Sequence, residues 1–588
     1  MLSVKNICVT LSSIVLLGLL TGCAMAPKEA SSQAALASDD EVSPAEQPAE
    51  AEYNVTLPSV PMTPDILYKL LVAETAFQRG HYAVGLAHYY WLAQTTRDPR
   101  LAAKATRIAV FVRDNPRALQ AGRLWVDIDP ANLAARQAIA AVYIRSGKPD
   151  AALEHLEYVL AQERDDAERG FMLVASLLSR EQDLQAALSV MEQLVDAHQE
   201  DYAAWHAYGH LALRANMLDK ADAGVKRSLH LAPNNPSAIM LQTRIMQLKG
   251  DKSAAIEYLG QKVRALPDET QLRFTYARQL VDSRDYEEAF AEYKVVIKQS
   301  PGDVDVLFAL GLLALQLDHQ DSAYDYLSQA RDTGLRNDDA YFYLGQLEEL
   351  RENPAAAMEH YSFVVRGDNL IEARVRQAVM TAELGEVERA RDYLHSMQLN
   401  APADRQRVFL VEGDILRNAE RHQDALALFN HALLEMPESM PLRYARAMVA
   451  ERLDMLDLAE QDLVSIIARD ADNVDALNAL GYTLADRTDR YQEAYGYIKR
   501  ALELRPDDNA ILDSMGWVLY RLGKHNEAIK TLRRSLEISH DSEVAAHLGE
   551  VLWVNGEQAD AREIWRQALE VSPGDKRLLT VIERFIKQ

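Results

Sequence analysis

The sequence of 588 residues contains only two cysteines, Cys8 and Cys23. Because both lie in the first 23 residues, a fold built from the remainder depends neither on disulfides nor on cysteine-ligated zinc. Basic residues are also scarce: 63 Lys and Arg stand against 88 Asp and Glu, which gives a formal net charge of −25. Such a field repels phosphate backbones and excludes a broad nucleic-acid-binding surface.

Catalytic signatures are absent as well. The sequence has no GxSxG, HExxH, Walker or GxGxxG motif and no strand-like alternation. His206 and His210 stand at i and i+4 in WHAYGHLALR, a spacing that can hold a divalent metal. No acidic residue or cysteine adjoins them, and two solvated histidines are the alternative reading. We therefore expect no metal, no cofactor and no enzyme activity.

The beginning of the chain has the pattern of a targeting segment. Lys5 is followed by an apolar run, Ile7 to Leu20, which suits a signal-peptide core and is too short to cross a bilayer comfortably. The run ends in LTGC at 20–23, which resembles the lipobox of bacterial lipoproteins. The resemblance implies a lipoprotein signal peptide over 1–22 and acylation of Cys23. The alternative is an ordinary signal peptide with an incidental cysteine.

The residues after Cys23 predict a tether and a location. Ala24 follows the cysteine, where an Asp would retain an enterobacterial lipoprotein in the inner membrane. We therefore expect a lipid-anchored outer-membrane protein that faces the periplasm. Residues 23–61 are rich in Ala, Ser, Pro and Glu and cannot bury a core, which predicts a disordered acidic tether. Its root-mean-square reach is on the order of 30–37 Å.

A small residue recurs every 33 to 35 residues through the rest of the chain. The positions are Gly85, Ala118, Ala152, Ala187, Ala221, Ala255, Ala289, Ala323, Ala357, Ala390, Ala425, Ala459, Ala494, Ala528 and Ala561. From Gly85 to Ala561 the 14 intervals average 34.0 residues. Such a unit resembles the tetratricopeptide repeat (TPR), a helix-turn-helix. The resemblance implies an all-α superhelical solenoid over 62–575, with about 15 helix pairs that are degenerate before residue 133, and a C-terminal capping helix over 576–588.

Other residues keep the same register. We call the position of the recurring small residue the ladder position of its repeat. A second set of small residues lies twelve residues before it, at Gly209, Gly311, Gly345, Gly413, Gly516 and Gly549. Large side chains come four after it, as at Tyr293, Tyr361, Phe429 and Trp565. Prolines come twelve after it at Pro130, Pro233, Pro267, Pro301, Pro437, Pro506 and Pro573. Small residues let the paired helices approach closely, and proline ends the second helix because it cannot donate to the helical hydrogen bonds.

One copy of the repeat departs from this register. Between Gly481 and Ala494 there are thirteen steps instead of twelve. We expect the turn at 487–490 to bulge.

In a TPR superhelix the first helix of each repeat lines the concave face. Repeat positions 2, 5, 9, 12 and 13 point into this face when each repeat is counted from nineteen residues before its recurring small residue. By this counting the N-terminal half places there Arg107, Arg145, Arg169, Arg180, His206, His210, Arg214, Arg244 and Arg278. The C-terminal half places there Tyr444, Tyr482, Trp517, Tyr520, Arg521 and Trp553. The arginines predict a track for an extended segment that carries carboxylates, and the aromatic residues are typical binding anchors. The alternative is that these side chains pair with acidic neighbours or pack between repeats.

The double repeat over 476–537 and the order of lipobox, acidic tether and long TPR array resemble the large TPR outer-membrane lipoproteins of proteobacteria. Within these the layout is similar to the LbcA-type adaptors of the periplasmic carboxyl-terminal processing protease CtpA. The resemblance implies an adaptor that binds the protease and its substrates, often peptidoglycan hydrolases, and so controls the cell wall through proteolysis. A TPR lipoprotein subunit of an envelope secretion, pilus or exopolysaccharide-export machine is the alternative.

Overall fold

The computed structural model describes residues 55–163 and 165–586, and none of these residues is in a strand. The predicted signal peptide, the lipid site Cys23 and all of the tether before residue 55 lie outside the described residues. The described chain forms 31 α-helices, which confirms the all-α fold class.

The helices fall into two compact units, one ending at His319 and the other beginning at Gln320. The first unit contains α1 Pro64–Gln78, α2 Tyr82–Thr96, α3 Pro99–Phe111, α4 Asn115–Ile128, α5 Leu133–Arg145, α6 Pro149–Gln162, α7 Ala167–Leu178, α8 Leu184–Ala197, α9 Tyr202–Arg214, α10 Leu218–Leu231, α11 Pro236–Leu248, α12 Lys252–Ala265, α13 Thr270–Asp282, α14 Tyr286–Gln299 and α15 Val304–Gln316. The second contains α16 Gln320–Asp332, α17 Asn337–Leu350, α18 Pro354–Ser362, α19 Leu370–Glu383, α20 Val387–His395, α21 Pro402–Asn418, α22 His422–Glu435, α23 Met440–Arg452, α24 Leu456–Arg469, α25 Val474–Arg487, α26 Tyr491–Leu504, α27 Asn509–Arg521, α28 His525–Ile538, α29 Ser542–Val554, α30 Gln558–Val571 and α31 Lys576–Ile586.

Within each unit, consecutive helices pack against each other. The odd-numbered helices up to α29 are the first helices of the repeats and are called A helices; the even-numbered helices are called B helices. Many A helices also contact the A helix of the next repeat. In each unit, runs of adjacent A helices therefore share a surface, called the A-helix face.

Short polar side chains begin most of the A helices. Asp201 Oδ1 accepts a hydrogen bond from the backbone N–H of Ala203 at 2.9 Å at the start of α9. Asn473 Oδ1 accepts one from Ala476 at 3.1 Å at the start of α25. Each cap pairs a backbone N–H that the first turn leaves without a helical partner.

The B helices end where the prolines predict. For example, α10 ends at Leu231, two residues before Pro233, and α26 ends at Leu504, two residues before Pro506. The same interval separates the helix end from proline in all seven repeats that carry one. The proline stop is confirmed.

The small residues lie where the helices of a pair cross. All fourteen ladder alanines are 0% exposed. A Cβ atom on Gly549 would lie 2.0 Å from Nε1 of Trp565, and one on Gly413 would lie 2.1 Å from Cζ of Phe429. Each of these glycines thus faces the large side chain four residues after the ladder position. The close-packing role predicted for the glycines is confirmed.

The repeat with one extra residue has a distinct turn. Helix α25 has 14 residues, whereas α27 and α29 have 13 each. Thr488 follows it in an extended conformation (φ −140°, ψ 177°). The Thr488 hydroxyl donates to the carbonyl of Leu484 at 2.6 Å and accepts from the backbone N–H of Arg490 at 3.1 Å. Arg487 donates to Glu451 of the preceding repeat at 3.0 Å, which ties the turn to its neighbour.

Candidate functional site

On the A-helix face of the first unit, four arginines have no side-chain partner in the described part of the chain. Arg107 lies on α3, Arg180 just after α7, Arg214 at the end of α9 and Arg244 on α11. All four are exposed, and within residues 55–163 and 165–586 their side chains make no hydrogen bond or ion pair. Free guanidinium groups suit bidentate recognition of carboxylates.

Three other arginines of this face have acidic neighbours. Arg145 donates to the buried carboxylate of Glu181 through Nε at 2.8 Å and Nη2 at 3.1 Å. Arg169 is 3.8 Å from Glu163. Arg278 is half-buried near Asp282; burial raises the pKa of that carboxyl, and Arg278 opposes the rise. The contacts of these three arginines therefore agree with the alternative given in the sequence analysis, in which the arginines pair with acidic neighbours.

The two histidines of α9 differ in exposure. His206 is 5% exposed, and its Nδ1 lies 3.6 Å from Glu168 Oε1. His210 is exposed. The alternative of two solvated histidines therefore applies to His210 and not to His206. Burial lowers the pKa of both imidazoles. Among the described residues, no group of three or more His, Cys, Asp or Glu side chains could hold a metal ion.

In the second unit, two predicted anchors meet at an unpredicted histidine. The ring of Trp517 stacks on His547, with centroids 4.3 Å apart and an interplanar angle of 25°. The ring of Tyr482 lies 6.3 Å from the same imidazole. Trp517 is 7% exposed, and its indole N–H donates to Asp486 Oδ1 at 3.2 Å. The indole is therefore almost wholly covered by its neighbours.

Tyr520 and Arg521, at the end of α27, contact neighbouring helices. The Tyr520 hydroxyl donates to Glu550 Oε1 at 3.3 Å. The guanidinium of Arg521 lies over the ring of Tyr491 at 4.7 Å and donates to the backbone carbonyl of Asp486 at 3.3 Å. Both side chains are partly buried by these contacts.

Among the described residues, Trp553 and Tyr444 make no ring contact with Trp517 or His547. Trp553 stacks on Trp565 with centroids 5.8 Å apart, and it also lies 6.2 Å from the ring of Phe585 on α31. Its contacts are thus with the C-terminal end of the unit. Tyr444 lies on α23, and burial raises the pKa of its hydroxyl.

Carboxylates surround Tyr482 and His547, and sequence reasoning missed them. Burial raises the pKa of Tyr482, and the negative charges of Asp486, Glu543 and Asp513 raise it further. Asp513 contacts His547 Nδ1 at 3.0 Å with each carboxylate oxygen. Burial lowers the pKa of His547, but the charges of Asp513, Glu543 and Glu550 outweigh burial, and the pKa is raised. The signal available in the sequence was the recurrence of acidic residues on three consecutive A helices.

Exposed arginines and aromatic rings lie along the A helices of this array of helix pairs. Such an array is a scaffold suited to protein–protein interaction. Two family models described as tetratricopeptide repeat match residues 514–576 and 476–510. The TPR repeat-containing protein PA4667 of Pseudomonas aeruginosa is 35% identical over 492 residues, which cover 83% of this chain and 82% of the relative. The chain belongs to the TPR repeat-containing proteins.

Other matches are shorter or more distant. Protein O-mannosyl-transferase TMTC1 of Homo sapiens is 22% identical over 184 residues, which cover 30% of this chain and 21% of the relative. The structure of the APC/C hetero-tetramer Cut9–Hcn1 covers 89% of this chain and 96% of its own at 15% identity, with a TM-score of 0.31. The structure of a tetratricopeptide repeat protein from Parabacteroides merdae covers 48% of this chain and 98% of its own, at 17% identity and with a TM-score of 0.33. No helix of the described ranges has the length and apolar character needed to cross a membrane.

Proposed function

We propose that this chain is a non-enzymatic adaptor that captures extended segments of protein partners on its A-helix faces. The observation that carries the proposal is the set of exposed, unpaired guanidinium groups at Arg107, Arg180, Arg214 and Arg244. In a chain of net charge −25, arginines left without acidic partners on one face favour a ligand that supplies carboxylates.

We further propose the partners that the family resemblance implies: a periplasmic carboxyl-terminal processing protease of the CtpA type and its peptidoglycan-hydrolase substrates. Support comes from the layout of the sequence, in which the lipobox at 20–23 and an acidic stretch precede the repeat array. In this proposal Cys23 is acylated and anchors the protein to the outer membrane. Several acyl chains give a stable anchor because each buried CH₂ contributes about 0.8 kcal/mol.

The proposed mechanism depends on proximity. Two partners held on one anchored array meet at a raised effective concentration, without any new contact between them. A face that binds extended segments also presents a substrate chain in a conformation that a protease can accept. The scaffold itself then needs no catalytic group.

Affinity purification of the tagged protein from membranes tests this function. We expect a soluble processing protease and cell-wall hydrolases in the eluate. Recovery of an outer-membrane channel or secretin instead would favour the alternative, a subunit of an export machine. Conversion of a substrate by the purified protein alone would refute the non-enzymatic role.

The binding face is tested by charge reversal. We expect Arg214→Glu combined with Arg244→Glu to reduce recovery of the protease or its substrates. Arg264→Glu is the matched control, because Arg264 is an exposed arginine on the B helix α12. Unchanged recovery with the double variant would reject the arginine face while leaving the adaptor role open to other surfaces.

A further inference from the structure

The A helices near the start of the array contain few acidic residues, although the whole chain has a net charge of −25. Helices α3, α5, α9 and α11 contain no Asp or Glu, and α7 contains one, Glu168. The same five helices contain three Lys and Arg residues on α3, two on α5 and one each on α7, α9 and α11. Consecutive helices of this set contact each other. We call these five A helices the basic run.

Four guanidinium groups carry the positive charge that the basic run leaves unpaired. Its other basic side chains lie within 3.9 Å of a carboxylate oxygen; they are Arg100, Lys104, Arg136, Arg145 and Arg169. Glu168 accepts hydrogen bonds from Tyr202 at 3.3 Å and Asn235 at 3.2 Å. The exposed arginines without a partner among the described residues are Arg107, Arg214 and Arg244, with Arg180 just after α7.

An acidic stretch precedes the array in the same chain. Residues 24–54, which lie outside the described residues, contain seven Asp and Glu and one Lys. Six of the seven acidic residues stand in DDEVSPAEQPAEAE, residues 39–52, which we call the acidic segment. A covalent connection gives such a segment a high effective concentration at nearby sites of its own chain. The chain thus carries its own supply of carboxylates for the four arginines.

The acidic segment is long enough to reach these arginines. The described chain begins at residue 55, nine residues before α1. Lys104 on α3 donates to Glu74 on α1 at 2.6 Å, and Arg107 lies about one turn after Lys104, so the first free arginine is close to the first helix. Fully extended, the acidic segment spans about 43 Å at roughly 3.3 Å per residue. The four steps from α3 to α11 span about 32–40 Å at 8–10 Å per step.

We propose that the acidic segment binds the four free arginines of its own chain, so that a partner segment has to displace it. The inference rests on the proposed function, because it assigns an internal competitor to the face that captures partners. Charge complementarity, the length of the segment and the place where the described chain begins all favour this occupant. The covalent connection favours the segment of the same chain over that of a second copy. Exposed ion pairs are individually weak, so an acidic partner can replace the segment.

Photocrosslinking of the purified full chain in detergent tests where the segment lies. Ala45→p-benzoylphenylalanine places the reactive group between Glu41 and Glu46. We expect mass spectrometry of the crosslinked monomer to identify peptides of the basic run. Arg214→Glu combined with Arg244→Glu should lower this yield at least threefold.

The matched control for the crosslink makes the same charge change on B helices of the first unit. It combines Arg264→Glu on α12 with Lys298→Glu on α14, since both side chains are exposed. This control should leave the crosslink yield unchanged. Crosslinks mainly to other surfaces, or mainly between two chains, would overturn the proposal.

An acidic probe measures the competition. The probe is a fluorescein-labelled peptide of alternating Glu and Ser, followed by fluorescence anisotropy. The neutral-segment variant combines Asp39→Asn, Asp40→Asn, Glu41→Gln, Glu46→Gln, Glu50→Gln and Glu52→Gln. Because a bound segment lowers the fraction of faces open to the probe, we expect this variant to bind the probe about five- to twentyfold more tightly than the unmodified chain. Added salt should shrink the difference, because it screens exposed charges.

A second variant removes the same amount of charge elsewhere. It neutralises one exposed carboxylate on each of six B helices of the second unit: Asp325→Asn, Glu359→Gln, Asp392→Asn, Asp457→Asn, Glu503→Gln and Glu537→Gln. A gain that came only from weaker overall repulsion of the acidic probe would appear in both variants. We expect the gain in the neutral-segment variant alone. Circular dichroism melts confirm that each variant is folded.

Two binding results would overturn the proposal: equal affinity of the probe for the neutral-segment variant and the unmodified chain, or equal gains in the two neutralised variants. Failure of the probe to bind any of these chains would also reject it, because the arginines would then bind no acidic segment. The assays contain no protease. Their failure is therefore distinguishable from failure to recover a protease from membranes.

Discussion

At the residue scale, Asp462 on α24 shows how much the packing of one helix pair depends on a single charge. Its carboxylate is 1% exposed and lies 2.7 Å from Arg446 and 3.5 Å from Arg443. Removing one partner of a buried pair leaves an uncompensated charge, which costs about 3–5 kcal/mol. We therefore expect Asp462→Ala to lower the free energy of unfolding by about that amount, measured by urea denaturation.

The control for this prediction is Asp472→Ala. Asp472 pairs with Arg500, and their side chains are 60% and 52% exposed. An exposed pair contributes about 0–1 kcal/mol, so the loss should be small. Equal losses in the two variants would contradict the role assigned to the burial of Asp462.

His547 predicts a pH dependence of stability. Burial lowers the pKa of its imidazole, but Asp513 at 3.0 Å, with Glu543 and Glu550, outweighs burial and raises the pKa above the unfolded value. A raised pKa means that the folded state binds the proton more tightly. The contribution is fully present below the unfolded pKa of about 6.5 and is lost as pH rises through the folded pKa.

The measurement compares unfolding free energies from chemical denaturation at mildly acidic and mildly alkaline pH. We expect Asp513→Asn to shrink or invert the difference, because burial then dominates and lowers the pKa of His547. His547→Gln removes this titration and serves as the reference. An unchanged pH dependence in Asp513→Asn would show that the carboxylate does not hold the proton on His547.

At the element scale, sequence periodicity predicts most of the helices because their signals are local. Ala494 at the crossing and Pro506 beyond α26 lie where the ladder places them. The early end of α18 at Ser362 was not predictable. There Asp338 Oδ1 accepts the backbone N–H groups of Val365 and Arg366 at 2.7 and 3.0 Å. A contact about 27 residues distant in sequence diverts the backbone from the helix, and no local pattern contains it.

The same limit applies to the candidate site. Counting positions predicts which residues lie on A helices, and it places Tyr482 and Trp517 correctly on adjacent A helices. It does not predict the stacking of Trp517 on His547 or the engagement of Arg145 by Glu181. Such partners depend on the rotamers and on the offset between repeats, which a single sequence does not encode locally.

A glycine at a helix crossing and an exposed helical glycine predict opposite effects of the same substitution. A Cβ on Gly549 would lie 2.0 Å from Nε1 of Trp565, whereas a Cβ on Gly496, within α26, would meet nothing within 4 Å. Gly549→Ala should therefore destabilise the protein by about 1–3 kcal/mol through overpacking. Gly496→Ala should stabilise it by about 0.5–1 kcal/mol, because alanine loses less backbone entropy in a helix.

Thermal unfolding followed by circular dichroism measures both changes. Because the substitution is the same and both glycines are helical, helix propensity cancels between them. A gain in stability from Gly549→Ala would show that Trp565 moves aside freely and that the crossing is not closely packed.

At the scale of the whole molecule, the charge of −25 is not spread evenly over the A helices. Within the described residues, exposed arginines without partners lie on A helices of the first unit, and Arg452 at the end of α23 in the second unit has no partner either. Carboxylates around aromatic rings mark α25–α29. Net charge alone would have predicted two similar faces. We propose that such local differences suit an adaptor with more than one partner.

The repeat architecture also predicts how far a local defect spreads. Each repeat contacts its neighbours, so stability is approximately a sum of repeat and interface contributions. We expect Gly549→Ala to speed amide hydrogen exchange in α28–α31, to affect α27 less and to leave α1–α14 unchanged, as measured by mass spectrometry of peptic peptides. Gly496→Ala should slow exchange near α26 alone. If Gly549→Ala speeds exchange equally in α1–α14, the array unfolds as one cooperative body, and local opening of the kind expected for repeat proteins does not describe it.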